Sequence, residues 1–306
     1  MKKILISGAY GFLGRNIAKE FKKHGDYVVG IGHGKWDYDE FSKWGIDEWY
    51  ETTITFEALL NIKHKFDIIV HCGGSGSVGF SWENPYEDFQ KSVQSTIAIL
   101  EYIRIQNINC KFIYPSSPAV QGNLGHIQIQ ESMVSNPVSP YGFHKKIAEE
   151  ICLSYYKNFN INIGIIRYFS IYGNGLQKQL LWDACKKIHK SNEVVFFGTG
   201  KETRDWIHIS DAATLLYTFS TKIKGYEVIN GGTGIETPIY KIIDLINSYM
   251  VKQVNIKFNG ITKEGDPLHF WADIKKAKSL NWKPLIGISK GIKDYVTYFK
   301  ALYKND

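Results

Sequence analysis

Apolar residues in this chain come in short runs separated by longer amphipathic stretches. The runs at 3–7, 27–31, 67–72, 111–114 and 161–167 are short enough to be buried strands. Between them, 12–22, 85–106 and 141–157 have the length and apolar spacing of helices. That alternation predicts a parallel sheet with helices on both faces, joined by right-handed crossovers. After about residue 170 the pattern loosens. Helices are predicted at 177–190, 210–221, 239–251 and 289–302, with short strands at 193–197 and 226–230. This half is expected to mix returns to the main sheet with a small cap over its C-terminal edge. The predicted fold is therefore α/β, a doubly wound parallel sheet with a smaller C-terminal subdomain. The sheet domain is placed at 1–170 plus about 206–236, and the subdomain at about 171–205 and 237–306.

Composition narrows the class without naming a function. With 306 residues, 44% hydrophobic and 22% charged, the chain is an ordinary globular protein rather than a disordered one. No apolar run reaches the length of a membrane span, and the N-terminus runs straight into a strand without a signal-peptide pattern, so a cytoplasmic protein is expected. The formal charge of +7 is spread along the chain, without the basic block of a nucleic-acid binder. Some of it can serve an anionic small substrate. Cys72, Cys110, Cys152 and Cys185 form no CxxC pair, and the nine histidines show no metal-ligand spacing. Neither a disulfide framework nor a metal site is expected, and His144 and His208 read as structural or exposed.

One turn carries a ligand signal. Gly8, Gly11 and Gly14 form a GxxGxxG pattern between the first strand and the first helix, with Phe12 and Leu13 opening the helix. Glycines there let the backbone turn tightly and approach a pyrophosphate, which sits on the unsatisfied N–H groups at the positive end of the helix. The pattern predicts a dinucleotide seat of the Rossmann kind.

Far downstream, Tyr141 and Lys145 stand four apart on a predicted helix and project from one face. An ammonium about 4 Å from a phenol, at an effective dielectric of about 20, interacts by at most roughly 4 kcal/mol, which favours the phenolate. Tyr141 is then expected to exchange a proton with a sugar or alcohol hydroxyl. Ser117, just past the 111–114 strand, is placed to hydrogen-bond the same oxygen as charge develops there.

These residues carry a resemblance that runs nearly end to end. GAYGFLG at 8–14, HCGG at 71–74, SWENP at 81–85, PSSPAVQG at 115–122, SPYGFHK at 139–145, RYFSIYGNG at 167–175, TRDWIHISD at 203–211 and GDP…WAD at 265–273 resemble the extended short-chain dehydrogenases/reductases. The resemblance is to their nucleotide-sugar epimerase, dehydratase and reductase group. It implies that Ser117, Tyr141 and Lys145 are the catalytic set, with Lys145 also holding the nicotinamide ribose. It further implies that Gly73 and Gly74 line the adenosine side and that Tyr168 packs near the nicotinamide. Ser170 falls where the family usually has a substrate-contacting asparagine. Arg204 and Lys263 fall where positive side chains grip the substrate diphosphate, a task suited to a guanidinium fork. A homodimer through the 85–106 and 141–157 helices is a further expectation from the resemblance.

Departures from the family pattern bear on cofactor and reaction. NAD-binding members usually close the second strand with an acidic residue that holds the ribose 2′-hydroxyl. Here the stretch reads Gly30-Ile31-Gly32-His33-Gly34-Lys35. The missing carboxylate favours NADP, with His33 or Lys35 on a 2′-phosphate; Asp37 and Asp39 keep NAD open. Ser117-Pro118-Ala119 replaces the Thr-Asp-Glu triplet of the 4,6-dehydratases, which excludes that activity. The favoured expectation is NADPH reduction of a 4-keto-(6-deoxy)sugar carried on a nucleoside diphosphate, in surface-polysaccharide or deoxysugar biosynthesis. The alternatives are an NAD-dependent nucleotide-sugar 4-epimerase and a non-catalytic nucleotide-binding regulator. The aromatic-rich stretch 36–50 is expected to be a loop packing on the domain.

Overall fold

The computed structural model describes residues 1–261 and 268–303. Its centre is a seven-stranded parallel sheet built from β1 (Lys3–Ser7), β2 (Tyr27–Gly32), β3 (Glu48–Glu51), β4 (Ile68–His71), β5 (Lys111–Ser116), β6 (Ile163–Tyr168) and β7 (Tyr226–Gly231). Their order across the sheet is β7-β6-β5-β4-β1-β2-β3, so the chain reverses direction of build between β1 and β4. Such a switch opens a crevice beyond the carboxyl ends of those two strands.

The continuous apolar runs of the strands follow from burial on both faces. Ile4 and Ile6 of β1 enter one core with α1 (Phe12–Lys23) and α5 (Ile209–Lys222), while Leu5 enters the other with α2 (Ser95–Gln106) and α3 (Pro140–Phe159). The predicted helix at 85–106 is one continuous rod with a change of winding: α-helical at Pro85–Phe89, π-helical at Gln90–Gln94, then α2. A π segment inside a helix often marks a functional site.

A separate core gathers Tyr172, Leu181, Trp206, Ile242, Ile246 and Phe299 from the second half of the chain. It is built on α4 (Gln179–Lys190), α6 (Ile239–Tyr249) and α7 (Ile288–Leu302). Asp205 ties this part to the sheet domain: its carboxylate accepts from the Thr233 N–H and hydroxyl, the Gly234 N–H and the Ala272 N–H at 2.6–3.2 Å.

The stretch 36–50 is not a loop. It folds as a short helix, Tyr38–Ser42, followed by the edge strand β3. Trp49 of β3 lies against Gly30, where a Cβ would come within 2.9 Å of its ring, and its indole N–H donates to the Gly34 carbonyl at 3.2 Å. The apolar pattern misses this strand because four residues with an acid at each end, Glu48-Trp49-Tyr50-Glu51, carry little hydrophobic signal. No helix among the described residues is long and apolar enough to cross a membrane.

Candidate active site

A cleft of about 970 Å³ lies beyond the carboxyl ends of the strands, between the sheet domain and the second core. Its floor is the glycine turn. Gly8 has φ +68°, and a Cβ on it would meet Cys72 and Gly73 backbone atoms at 2.7–2.8 Å, so the turn packs directly on the end of β4. A Cβ on Gly14 would collide with the Gly8 carbonyl oxygen. Gly11 caps α1 without a side-chain hydrogen bond, and a Cβ there would meet only the Gly8 oxygen at 3.1 Å. The first turn of α1 thus presents backbone N–H donors toward the cleft, a seat that fits a dinucleotide pyrophosphate.

The wall is made by β5 and α3. Ser139 caps α3 by accepting from the Gly142 N–H at 3.2 Å, and Pro140 follows at the first helical position. Gly142 lets this helix start touch the turn after β5, because a Cβ would lie 2.5 Å from the Ala119 carbonyl oxygen. That approach brings Tyr141 beside Ser117, and both side chains line the cleft. Ser116 turns the other way and donates to Glu149 Oε1 at 2.6 Å.

Lys145 is buried and donates to the Pro115 carbonyl at 3.1 Å, with its ammonium 4.5 Å from the centroid of the Tyr114 ring and 5.9 Å from that of Tyr141. Burial lowers its pKa to about 8, against the opposing pull of Asp88, Cys72 and Glu149. Burial likewise pushes the Tyr141 phenol up to about 12; the Ser117 hydrogen bond lowers it and the Asp88 charge raises it. The expected lowering of Tyr141 by the ammonium is therefore corrected for the chain by itself. The lysine points to Pro115 and the Tyr114 face, and desolvation of the phenol dominates.

Comparison with known proteins bears on what such a cleft does. The NAD dependent epimerase/dehydratase family matches residues 4–232. The chain belongs to this family. It is 30% identical over 311 residues to the UDP-glucuronate 4-epimerase of Thermodesulfobacterium geofontis, covering 97% of this chain and 95% of that protein. It is also 30% identical to the putative UDP-glucose 4-epimerase of Methanocaldococcus jannaschii, covering 97% and 98%. The crystal structure of UDP-glucuronic acid 4-epimerase from Bacillus cereus, in complex with UDP-glucuronic acid and NAD, superposes with a TM-score of 0.87 at 28% identity, covering 98% of this chain and 100% of that one. The resemblance read from the motifs is thus established, and with it an enzyme of the extended short-chain dehydrogenase/reductase type. The named relatives favour the 4-epimerase alternative over NADPH reduction.

The fold brings most of the family's motif positions to one cleft. Gly8, Gly11, Phe12, Leu13, Gly14, Gly73, Gly74, Ser117, Tyr141, Lys145, Tyr168, Ser170 and Arg204 all line it. Tyr168 is held by its hydroxyl, which donates to the Ala212 carbonyl at 2.7 Å. His33 and Lys35 do not line it; both are exposed beyond the end of β2. Lys263 lies outside the described residues.

Several members of the site escape sequence reasoning. His71 is buried beneath Gly73 between the hydroxyls of Ser7, at 2.5 Å, and Ser95, at 2.9 Å. Burial, reinforced by the Lys145 charge, pushes its pKa down to about 3, so the ring is neutral. Asp88, fully buried on the helix before the π segment, accepts from His144 Nδ1 at 2.5 Å and acts electrostatically on both Tyr141 and Lys145. His144 is thereby a structural partner, and His208 caps α5 by accepting from the Ser210 N–H at 3.2 Å. Lys178 and Lys187 join Arg204 on the second-domain side of the cleft. His71, His144 and His208 fall inside the motifs read from the sequence, but their partners appear only in the fold; Asp88, Lys178 and Lys187 carry no local signal, and only the topology places them.

Proposed function

We propose that the protein is an NAD-dependent 4-epimerase acting on a UDP-hexose or UDP-hexuronate. The observation that carries this reading is the meeting of Ser117, Tyr141 and Lys145 in a cleft whose floor is a cofactor-shaped glycine turn. The two curated relatives and the B. cereus structure, each aligned over nearly the whole chain, support the reaction and the choice of NAD. The missing acidic residue at the end of β2 does not by itself require NADP, and the NAD-bound B. cereus structure supports NAD.

NAD would be held by the N–H groups of Phe12, Leu13 and Gly14 and by Lys145, and would supply reversible hydride chemistry at the sugar C4. The chain's own residues manage the proton and the geometry. Tyr141 acts in its phenolate form, taking the proton of the 4-hydroxyl to become the phenol and giving it back once the other face of the 4-keto sugar is presented. Ser117 hydrogen-bonds that oxygen while it carries charge. The Lys145 ammonium supplies positive potential beside the phenol, and its buried setting excludes water. Arg204, with Lys178 and Lys187, holds the diphosphate, leaving the hexose free to turn.

Homodimer assembly belongs to the same proposal. Phe143 and Ile147 on α3 and Ile97 and Ile105 on α2 are 39–51% exposed, an apolar face suited to a second copy. The deciding experiment is to denature purified protein and identify the released nucleotide, then follow UDP-glucuronate and UDP-glucose for C4 inversion. Stoichiometric NAD, an epimeric product and no NADPH consumption are expected. NADPH oxidation with a 4-keto sugar and no bound cofactor would return the assignment to a reductase.

A further inference from the structure

Outside the cleft, the short strand that carries Arg204 presents a second cluster of side chains on its other face. Strand Thr203–Arg204 pairs with His269–Phe270, Thr203 opposite His269 and Arg204 opposite Phe270. Arg204 and Phe270 line the cleft. Side chains alternate across a strand, so Thr203 and His269 face away from it.

On that far face four polar atoms converge. Glu236 Oε1 accepts from Thr203 Oγ1 at 2.7 Å, lies 2.8 Å from His126 Nε2 and 3.4 Å from His269 Nδ1. His269 Nδ1 is in turn 3.2 Å from Thr203 Oγ1. The two imidazoles stack with centroids 4.0 Å apart, and Trp271 meets His126 edge-on at 5.2 Å. The three ligand-type atoms of His126, Glu236 and His269 all lie within 4.8 Å of one another.

The cluster is close to the spacing of a small four-coordinate ion: Glu236 to His269 at 3.4 Å matches it, and the 2.8 Å contact of Glu236 with His126 would open by about half an ångström as an ion takes the place of the shared proton. Zn–N and Zn–O bonds of about 2.0–2.2 Å in tetrahedral geometry put neighbouring donors about 3.3 Å apart. Two imidazoles with one carboxylate suit an ion of borderline softness, whereas magnesium and calcium take oxygen donors. We propose that His126, Glu236 and His269 bind a divalent first-row transition ion of the zinc type, with the Thr203 hydroxyl or water at the remaining position.

The ligands come from the segment after β5, the segment after β7 and the strand beside Arg204. Ligation therefore cross-links three separate stretches and stiffens the ladder on which Arg204 stands. The site is distinct from the Tyr141 cleft and consumes nothing in the reaction. Its function is to fix the far wall of the substrate side.

The test uses tag-free full-length protein stripped with EDTA, titrated with zinc by calorimetry and with cobalt by visible absorption. One zinc per chain is expected, with a four-coordinate cobalt band that zinc displaces. At a hundredfold excess of zinc over its Kd, Tm is expected to rise by about 5 °C, with no comparable rise in magnesium or calcium. His126 is exposed, so His126→Ala folds and is expected to lose at least tenfold in zinc affinity; Glu236→Gln is expected to do the same. Failure of the stripped wild-type protein to bind zinc, or stoichiometric binding unchanged in both variants, overturns the assignment. Because every readout is binding or stability, the outcome is independent of whether the cleft epimerises a sugar.

Discussion

Arg167 holds Glu149 by two hydrogen bonds, Nε to Oε1 at 3.1 Å and Nη2 to Oε2 at 2.7 Å, both side chains 8% exposed. Glu149 lies one helical turn beyond Lys145 and two beyond Tyr141, so this pair pins the working face of α3 to β6. Ser116 donates to the same carboxylate and adds β5 to the clamp. Breaking a buried pair from one side leaves an uncompensated charge. Glu149→Gln is expected to lower the unfolding free energy by about 3–5 kcal/mol, measured by urea denaturation. A loss below about 1 kcal/mol would reduce the pair to the worth of a surface ion pair.

Tyr141→Phe removes the proton carrier and little else. Turnover is expected to fall by about 10²–10⁴. The NAD content of the purified protein stays at the wild-type level, because the phenol is not the group that seats the pyrophosphate. Lys145→Met is expected to lower both. A Tyr141→Phe variant epimerising at a near-normal rate would remove the phenol from its role.

The buried lysine also gives the cofactor-free protein a pH signature. Lys145 sits at about 8 in the folded chain against 10.5 ordinarily, so between those values the unfolded chain binds more protons. Its contribution to stability rises with pH across that window, and the penalty of the buried ammonium is present in full below pH 8. Tyr141 works in the opposite sense at higher pH: raised from 10 to about 12, it contributes stability that is lost as pH climbs through that range. Urea unfolding of wild type and Lys145→Met, compared between about pH 7 and 10, is expected to show wild type gaining on the variant. A flat difference would mean the lysine is solvated.

How much of this was legible in the sequence depends on how local each signal is. The strands β1, β2, β4, β5 and β6 announce themselves because both their faces are buried, which writes burial as unbroken apolar runs. The helix at 12–22 and the one at 141–157 fall within two residues of α1 and α3, since caps and periodicity are local too. Gly8, Gly14, Ser117 and Tyr141 belong to contiguous motifs. Asp88 and Lys187 do not: each joins the site because strands and helices far apart in sequence are laid side by side, and His71, though inside the HCGG motif, shows its Ser7 and Ser95 partners only in the fold. The His126, Glu236 and His269 cluster is the extreme case, assembled from stretches spread over nearly half of the chain with no spacing to read. The fate of β3 is of the same kind, because Trp49 finds its place only once Gly30 is beside it.

The glycine turn offers the sharpest separation of packing from ligand binding, because two glycines of one motif are there for different reasons. Gly14 faces the Gly8 carbonyl at a distance no Cβ tolerates, and that neighbour is backbone that cannot swing away. Gly14→Ala must lift α1 off β1, costing about 1–3 kcal/mol and misdirecting the N–H groups of Phe12 and Leu13. Gly11 has φ −70°, which any residue adopts, and its missing Cβ would meet only one oxygen at 3.1 Å while lining the cleft. Gly11→Ala should therefore keep the cofactor-free protein within about 1 kcal/mol of wild type, the scale of an N-cap change. Its methyl group, however, stands where a pyrophosphate must approach. Thermal melts with nucleotide quantification separate the two: Gly14→Ala is expected to lose both Tm and NAD, Gly11→Ala to lose NAD alone. A Gly11→Ala protein that purifies with its full NAD content would show that the cofactor does not lie on this helix start.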